Sequence, residues 1–213
     1  MKINQNGRSM VEMLGVLAII GVLSVGSIAG YSKAMYKYKI NKFTDQMTNI
    51  IANIRTAYST QKTTNGLNNE NIKKMGLVPD DMYKSSDPYS IRHFWGGTIY
   101  FGTASTYDSA TMSRPMNVDG VFYISMNEIP KDVCIAMLTS DWGQDLVGMG
   151  AHFVGSSPMP PDNANKPGSE DFGKTGDKDY PVPFSILRAE KVCAKAEESN
   201  SSLGMTLYWY FKL

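Results

Sequence analysis

A single carboxylate, Glu12, stands at the head of a long apolar segment, in the run Gly7-Arg8-Ser9-Met10-Val11-Glu12. No further charge occurs until Lys33. An ionised side chain at the centre of a bilayer costs roughly 3 kcal/mol or more, so a carboxylate in this position needs a partner or a task.

Nothing else along the chain has the spacing of a catalyst. The two histidines lie in Arg92-His93-Phe94-Trp95 and Ala151-His152-Phe153, beside aromatics, where a packed or surface imidazole is expected. There is no Gly-x-Ser-x-Gly, no His-Glu-x-x-His and no phosphate-binding glycine loop. The acids Asp162, Glu170, Asp171, Asp177 and Asp179 do not follow the ligand spacing of an EF-hand, so a solvated loop is expected there and no metal. With 21 basic and 20 acidic residues the net charge is +1, which makes no electrostatic case for nucleic acid. The expectation is a protein that is not an enzyme and needs no cofactor.

The elements that must position Glu12 begin with the run Val11 to Met35, long enough at 1.5 Å per residue to cross a hydrocarbon core of about 30 Å. An ordinary secretory signal, cut near Ser27-Ile28-Ala29, and a plain signal anchor are the other readings of this run. Lys33, Lys37, Lys39 and Lys42 follow it while only Lys2 and Arg8 precede it, so charge bias alone would put the C-terminal side in the cytoplasm. The very short leader and the two downstream cysteines argue for the opposite orientation. From Ile40 the apolar residues fall at 40, 43, 47, 50, 51, 54, 57 and 58, the spacing of one helical face. No proline occurs before Pro79. One helix from near Ser9 to Thr60 is therefore expected, apolar all round in its first half and one-sided in its second, with a break at Gly30-Tyr31 as the alternative.

The remainder reads as one α+β head. Thr98–Phe101, Val121–Ser125 and Met205–Phe211 read as strands, the last apolar on both faces and so central. Asn127 to Trp142 reads as a helix with Pro130 in its first turn. Ser185 to Glu198 reads as a second helix, capped by Ser185, with Ile186, Ala189, Val192, Cys193 and Ala196 as its apolar stripe. Between them, 155–183 is dense in Gly, Pro, Asp, Asn and Ser and is expected to hold no regular element.

The short leader, Gly7 and Glu12 together resemble the processing site of type IV prepilins. The order Asp87-Pro88-Tyr89, Trp95-Gly96-Gly97, two strands, a Cys134 helix, a variable loop, a Cys193 helix and a terminal strand is most similar to the type IVb pilins. That group includes the toxin-coregulated pilus subunit and the PilS-type pilins of conjugative systems. Arg8 departs from the apolar first residue usual in that family, and the leader is shorter than many type IVb leaders.

The resemblance implies a type IV pilin fold, with a long N-terminal helical spine packed on an antiparallel-sheet head. It divides the chain into a leader over 1–7, a transmembrane and filament-core helix over 8–34, and the amphipathic half-helix plus head over 35–213. It further implies cleavage between Gly7 and Arg8 by a prepilin peptidase, N-methylation of Arg8, and pairing of Glu12 with a neighbour's N-terminal amine. The chain would be a precursor in the bacterial inner membrane, handled by a pilus assembly machinery, and then a homopolymeric surface filament. Outside the inner membrane, Cys134 and Cys193 would form a disulfide. A minor pilin or pseudopilin, or a membrane-anchored extracytoplasmic binding protein, is the alternative.

Overall fold

The computed structural model describes residues 10–84, 87–105, 117–153, 171–198 and 205–213. Helix α1, Met10–Tyr58, continues through Gly30 without a break. It is followed by α2 (Asn69–Lys74), a 3-10 turn (Asp80–Met82), and strands β1 (Tyr83–Lys84), β2 (Asp87–Arg92), β3 (Thr98–Ser105) and β4 (Asn117–Ile129). Then come α3 (Lys131–Thr139), β5 (Leu146–Phe153), β6 (Phe172–Lys174), α4 (Ile186–Glu198) and β7 (Met205–Lys212). The chain divides into two compact units, Met1–Lys42 and Phe43–Leu213. This division falls later along α1 than the composition boundary near residue 34, because Phe43 is the first residue of the helix to be buried.

Within the second unit the periodicity of α1 becomes packing. Phe43, Met47, Ile50, Ile51, Ile54 and Tyr58 are all buried, the face that the 3-and-4 spacing marks out. Polar contacts tie the same stretch down. Arg55 Nη1 donates to Asp145 Oδ2 at 2.5 Å, Asn53 Nδ2 to the Leu77 carbonyl at 3.3 Å, and Gln46 Nε2 to Asp81 Oδ2 at 3.4 Å. After α1 the chain is stitched to the sheet by short polar side chains. Thr64, itself buried, donates to the Val121 carbonyl and accepts from Thr103 through its own carbonyl. Asn69 accepts from the Phe101 N–H and donates to the Ile99 carbonyl, occupying both bonding groups that β3 offers there.

The sheet has the order β1-β2-β3-β4-β7-β5-β6, and every neighbouring pair is antiparallel. Strand β7 lies between β4 and β5, as a strand apolar on both faces requires, and Met205 to Phe211 are all buried. One face carries Phe122, Ile124 and Met126 opposite Phe211, Trp209 and Leu207. Trp142 meets Trp209 edge-on there and donates its indole N–H to the Met137 carbonyl. The other face carries an aromatic layer of Tyr123, Phe172, Tyr208 and Tyr210. Gly102, Gly148 and Gly150 share that face with the aromatics. A Cβ would run into Tyr123 at the first, Phe172 at the second and Tyr208 at the third.

Three expectations are corrected. The helix expected from Asn127 starts at Lys131, because β4 keeps pairing to Ile129 and Pro130, lacking an N–H, caps the helix from outside. Ile186 leaves the stripe of α4. Ala189, Val192 and Cys193 are buried, whereas Ile186 is 72% exposed, since a first-turn side chain tilts back beyond the helix end. The interval 155–183 contains β6, whose Phe172 pairs opposite Gly150 on β5. The rest of that interval up to Glu170, with Asp162 in it, lies outside the described residues, as do Gly7 and Arg8. Ser185 caps α4 as expected, its Oγ accepting the Arg188 N–H at 3.3 Å.

Cys134 and Cys193 form a disulfide joining α3 to α4, with Cα atoms 6.0 Å apart and both side chains fully buried. The bond closes a separation of 59 residues. For a loop of that length the chain-entropy contribution is about 4 kcal/mol. Replacing both residues with alanine is expected to lower the unfolding free energy of the full chain in detergent micelles by about 2–5 kcal/mol. Guanidinium titration of variant and wild type, each without reductant, measures the difference.

Candidate assembly site

Apolar side chains crowd the first half of α1, and the fold buries none of them. Met10, Val11, Met13, Leu14, Val16, Leu17, Ile19, Ile20, Val22, Leu23, Val25 and Ile28 are all exposed, from 48% to 85%. This is the one helix among the described residues long and apolar enough to cross a membrane. Two of its hydroxyls bond back to the helix itself, as suits an apolar surrounding. Ser27 Oγ donates to the Leu23 carbonyl at 2.7 Å and Ser32 Oγ to the Ile28 carbonyl at 2.9 Å. A Cβ at Gly15, Gly21, Gly26 or Gly30 would meet nothing within 4 Å, so contacts in the folded chain do not require glycine at these positions.

Glu12 lies in the first turn of this helix, exposed, where the helix dipole favours a negative charge. Among the described residues no cation reaches it. Of the residues singled out from sequence, then, the structure joins Cys134 to Cys193 and places Glu12 in the first turn of an uncovered apolar helix, with no cation in reach among the described residues.

The buried half of α1 is seated by a cluster that sequence reasoning did not assemble. Phe43 meets the rings of His93, Phe94 and Trp95 edge-on, with centroids 5.5–6.5 Å apart. His93 is held at both nitrogens. Nε2 lies 2.8 Å from the Asn127 carbonyl oxygen, and Nδ1 accepts the Trp95 N–H at 3.2 Å. An acceptor role at Nδ1 assigns the neutral imidazole with its proton on Nε2. The Asn127 carbonyl is available because β4 bulges here. Its register with β7 shifts between Met126 and Ile129, and Glu128 takes a positive φ of 56°. Asn127 Oδ1 also accepts the Thr98 N–H at 2.6 Å. Gly97 completes the arrangement, since a Cβ there would collide with the Asn127 oxygen and His93 Nε2. Both His93 and the tight Gly97 were visible as residues. What brings them together is a bulge on a strand some thirty positions away, for which the local sequence carries no signal.

Burial and the neighbouring Arg92 charge depress the His93 pKa to about 4, against the partly offsetting bond to Asn127. His152 is depressed to about 4 as well, chiefly by burial. Its ring stands edge-on to Tyr208, and neither ring nitrogen has a hydrogen-bond partner among the described residues. Burial raises the hydroxyl pKa of Tyr208 and Tyr210, so both stay neutral.

The sequence model of a family described as Bundlin matches residues 33–212. That match runs from the end of the apolar segment through the whole sheet. No curated protein matches the chain.

Two outcomes are expected from the His93 cluster. Gly97→Ala must displace the bulge and is expected to cost about 1–3 kcal/mol, as overpacking does. Gly96→Ala meets open space but must keep a φ of 99°, and is expected to cost about 1 kcal/mol through that strain alone. Urea titrations of the two variants compare them. For pH, the folded chain binds the His93 proton more weakly than the unfolded chain does. Its stabilisation is complete above pH 6.5 and declines as pH falls to about 4. The loss from this residue is roughly 3 kcal/mol, and His152 adds in the same direction. Denaturation midpoints between pH 7 and 4 should fall in wild type and fall less steeply in His93→Gln.

Proposed function

The chain belongs to the bundlin family, a family of type IV pilins, and from that premise we propose that it is the structural subunit of a type IVb-like pilus. In this reading a prepilin peptidase cuts after Gly7, Arg8 becomes the methylated N-terminus, and an assembly machinery draws the subunit from the inner membrane into a helical surface filament. The family is one of structural pilins and not of enzymes. The supporting observation is the uncovered half of α1: twelve large apolar side chains and one carboxylate, with no protein surface of their own to pack on.

Repetition of one heterologous contact without closure turns such a subunit into a filament. The helices are the natural core. Gly15, Gly21, Gly26 and Gly30 let backbones approach closely, which is a use for small residues that the folded chain itself does not make of them. Glu12 of an incoming subunit pairs with the α-amine of a neighbour's Arg8. In surroundings of low dielectric the unpaired carboxylate is costly, so only the axial stagger that brings the amine to it is stable. The lost solvation is offset only when both partners are present. The pair therefore selects register more than it adds gross stability.

Glu12→Ala is expected to be inserted and cleaved normally, because the apolar span is intact, and to fail in assembly. A charge-assisted hydrogen bond of about 1.5–3 kcal/mol corresponds to roughly 10–100-fold weaker subunit addition. Glu12→Gln should fall between. The measurements are the yield of sheared surface fibres and N-terminal mass spectrometry, in which mature chains begin at Arg8 and Gly7→Val accumulates uncleaved. Fibres of wild-type abundance from Glu12→Ala would overturn the pairing. A mature terminus at Gly30 would instead establish the secretory-signal reading.

A further inference from the structure

Directly after the uncovered apolar stretch, α1 carries Tyr31, Lys33, Lys37, Tyr38 and Lys39, all exposed. No acid occurs between Glu12 and Asp45. Among the described residues Lys33, Lys37 and Lys39 pair with no carboxylate. We propose that this segment is a headgroup clamp: the lysines bind anionic phospholipid headgroups of the bilayer that α1 crosses, and the two tyrosines seat in its interface.

Three features favour a lipid surface over a protein partner. First, the cations do not share a face. At about 100° per residue Lys33 and Lys37 lie on one side of the helix and Lys39 on another, with Tyr31 and Tyr38 in the arc between them. A layer that surrounds the helix satisfies such a ring, whereas a one-sided protein surface does not. Second, tyrosine with lysine is the combination suited to the boundary between hydrocarbon and water. The ring is apolar with a polar tip, and the lysine stem reaches along apolar surface to the charge. Third, the spacing to Glu12 fits a bilayer. From Glu12 to Tyr31 is nineteen residues, about 28 Å of helix, close to the hydrocarbon thickness of about 30 Å. With Tyr31 and Lys33 held at one boundary, Glu12 lies at the opposite one, where a charge is far less costly than at the centre. The clamp therefore sets the depth of the helix and keeps Glu12 out of the hydrocarbon core.

This inference rests on the reading of α1 as a membrane-spanning segment, and the test separates the two. The full chain is reconstituted into phosphatidylcholine vesicles holding trace spin-labelled phosphatidylcholine or spin-labelled phosphatidylglycerol. Electron paramagnetic resonance then gives the immobilised fraction of each label. A lysine near an anionic surface is worth roughly a fivefold preference. The expected result is immobilisation of both labels, with the anionic one favoured about fivefold or more. The preference should fall below about twofold in K33Q/K37Q/K39Q and in about 0.5 M salt. Glutamine matches lysine in helix propensity, and circular dichroism with an intact Cys134–Cys193 bond checks that the variant is folded. Equal immobilisation of the two labels by wild type overturns the clamp while leaving the span in place. Full anionic preference in the triple variant overturns the assignment to these lysines. Immobilisation of neither label overturns the membrane-spanning reading, and the clamp with it.

Discussion

The uncovered half of α1 is the constraint on which the rest depends. Burying one large aliphatic side chain is worth about 1.5–3 kcal/mol. At exposures of 48% to 85%, the twelve between Met10 and Ile28 therefore leave roughly 10–20 kcal/mol unrealised in the folded chain. That is comparable to the net stability of a typical domain, about 5–15 kcal/mol. In water such a chain would aggregate before it did anything else. Two surroundings remove the difficulty, the interior of a bilayer and the interior of a bundle of identical helices, and the proposed function uses them in succession.

Moving from one to the other gains almost nothing from the hydrophobic effect, because lipid tails are as apolar as leucine. In the proposed function the large term cancels, and the small ones decide whether a subunit joins a fibre. This is why the few non-aliphatic residues of α1 carry so much of the argument. The four glycines replace nothing in the folded chain and would each cost about 1 kcal/mol against alanine. Their benefit lies in how closely a second backbone can come. Glu12 is unfavourable alone in the interior of a helix bundle, so its presence makes sense when a partner arrives with the neighbour.

Much of this was legible in the sequence because it is written in local periodicity. The 3-and-4 spacing from Ile40 to Tyr58 marks the buried stripe that begins at Phe43, and the two-sided apolarity of Met205–Phe211 marks the strand that both β4 and β5 flank. Ser185 reads as a cap from its position alone. The features that were missed depend on contacts between distant residues. His93 looks like any histidine beside aromatics until the bulge at Asn127 and Glu128 turns a carbonyl toward it. The same bulge prolongs β4 over residues whose composition suits the start of a helix. Strand β6 is three residues long and exists because Gly148 leaves room for the Phe172 ring and Gly150 for the Asp171 carbonyl, a fit that no window across 155–183 contains. Ile186 satisfies the helical pattern and is still exposed, since periodicity gives the face of a helix and not where the head stops covering it.

A subunit that changes surroundings must confine the change to part of itself, and α1 divides accordingly. Beyond Phe43 the helix is fastened by its buried stripe, by the edge-on rings of His93, Phe94 and Trp95, and by the Arg55–Asp145 pair. That pair is partly exposed and by itself contributes little, so the fastening is mainly apolar and is insensitive to salt. Elsewhere in the head the Cys134–Cys193 bond fixes α3 and α4 to each other. Neither device involves a residue before Lys42. Exchange of what surrounds the apolar stretch Met10–Ile28 therefore requires no change in the stripe, the rings or the disulfide. In the proposed function a single fold of Phe43–Leu213 then serves the membrane precursor and the filament coat alike.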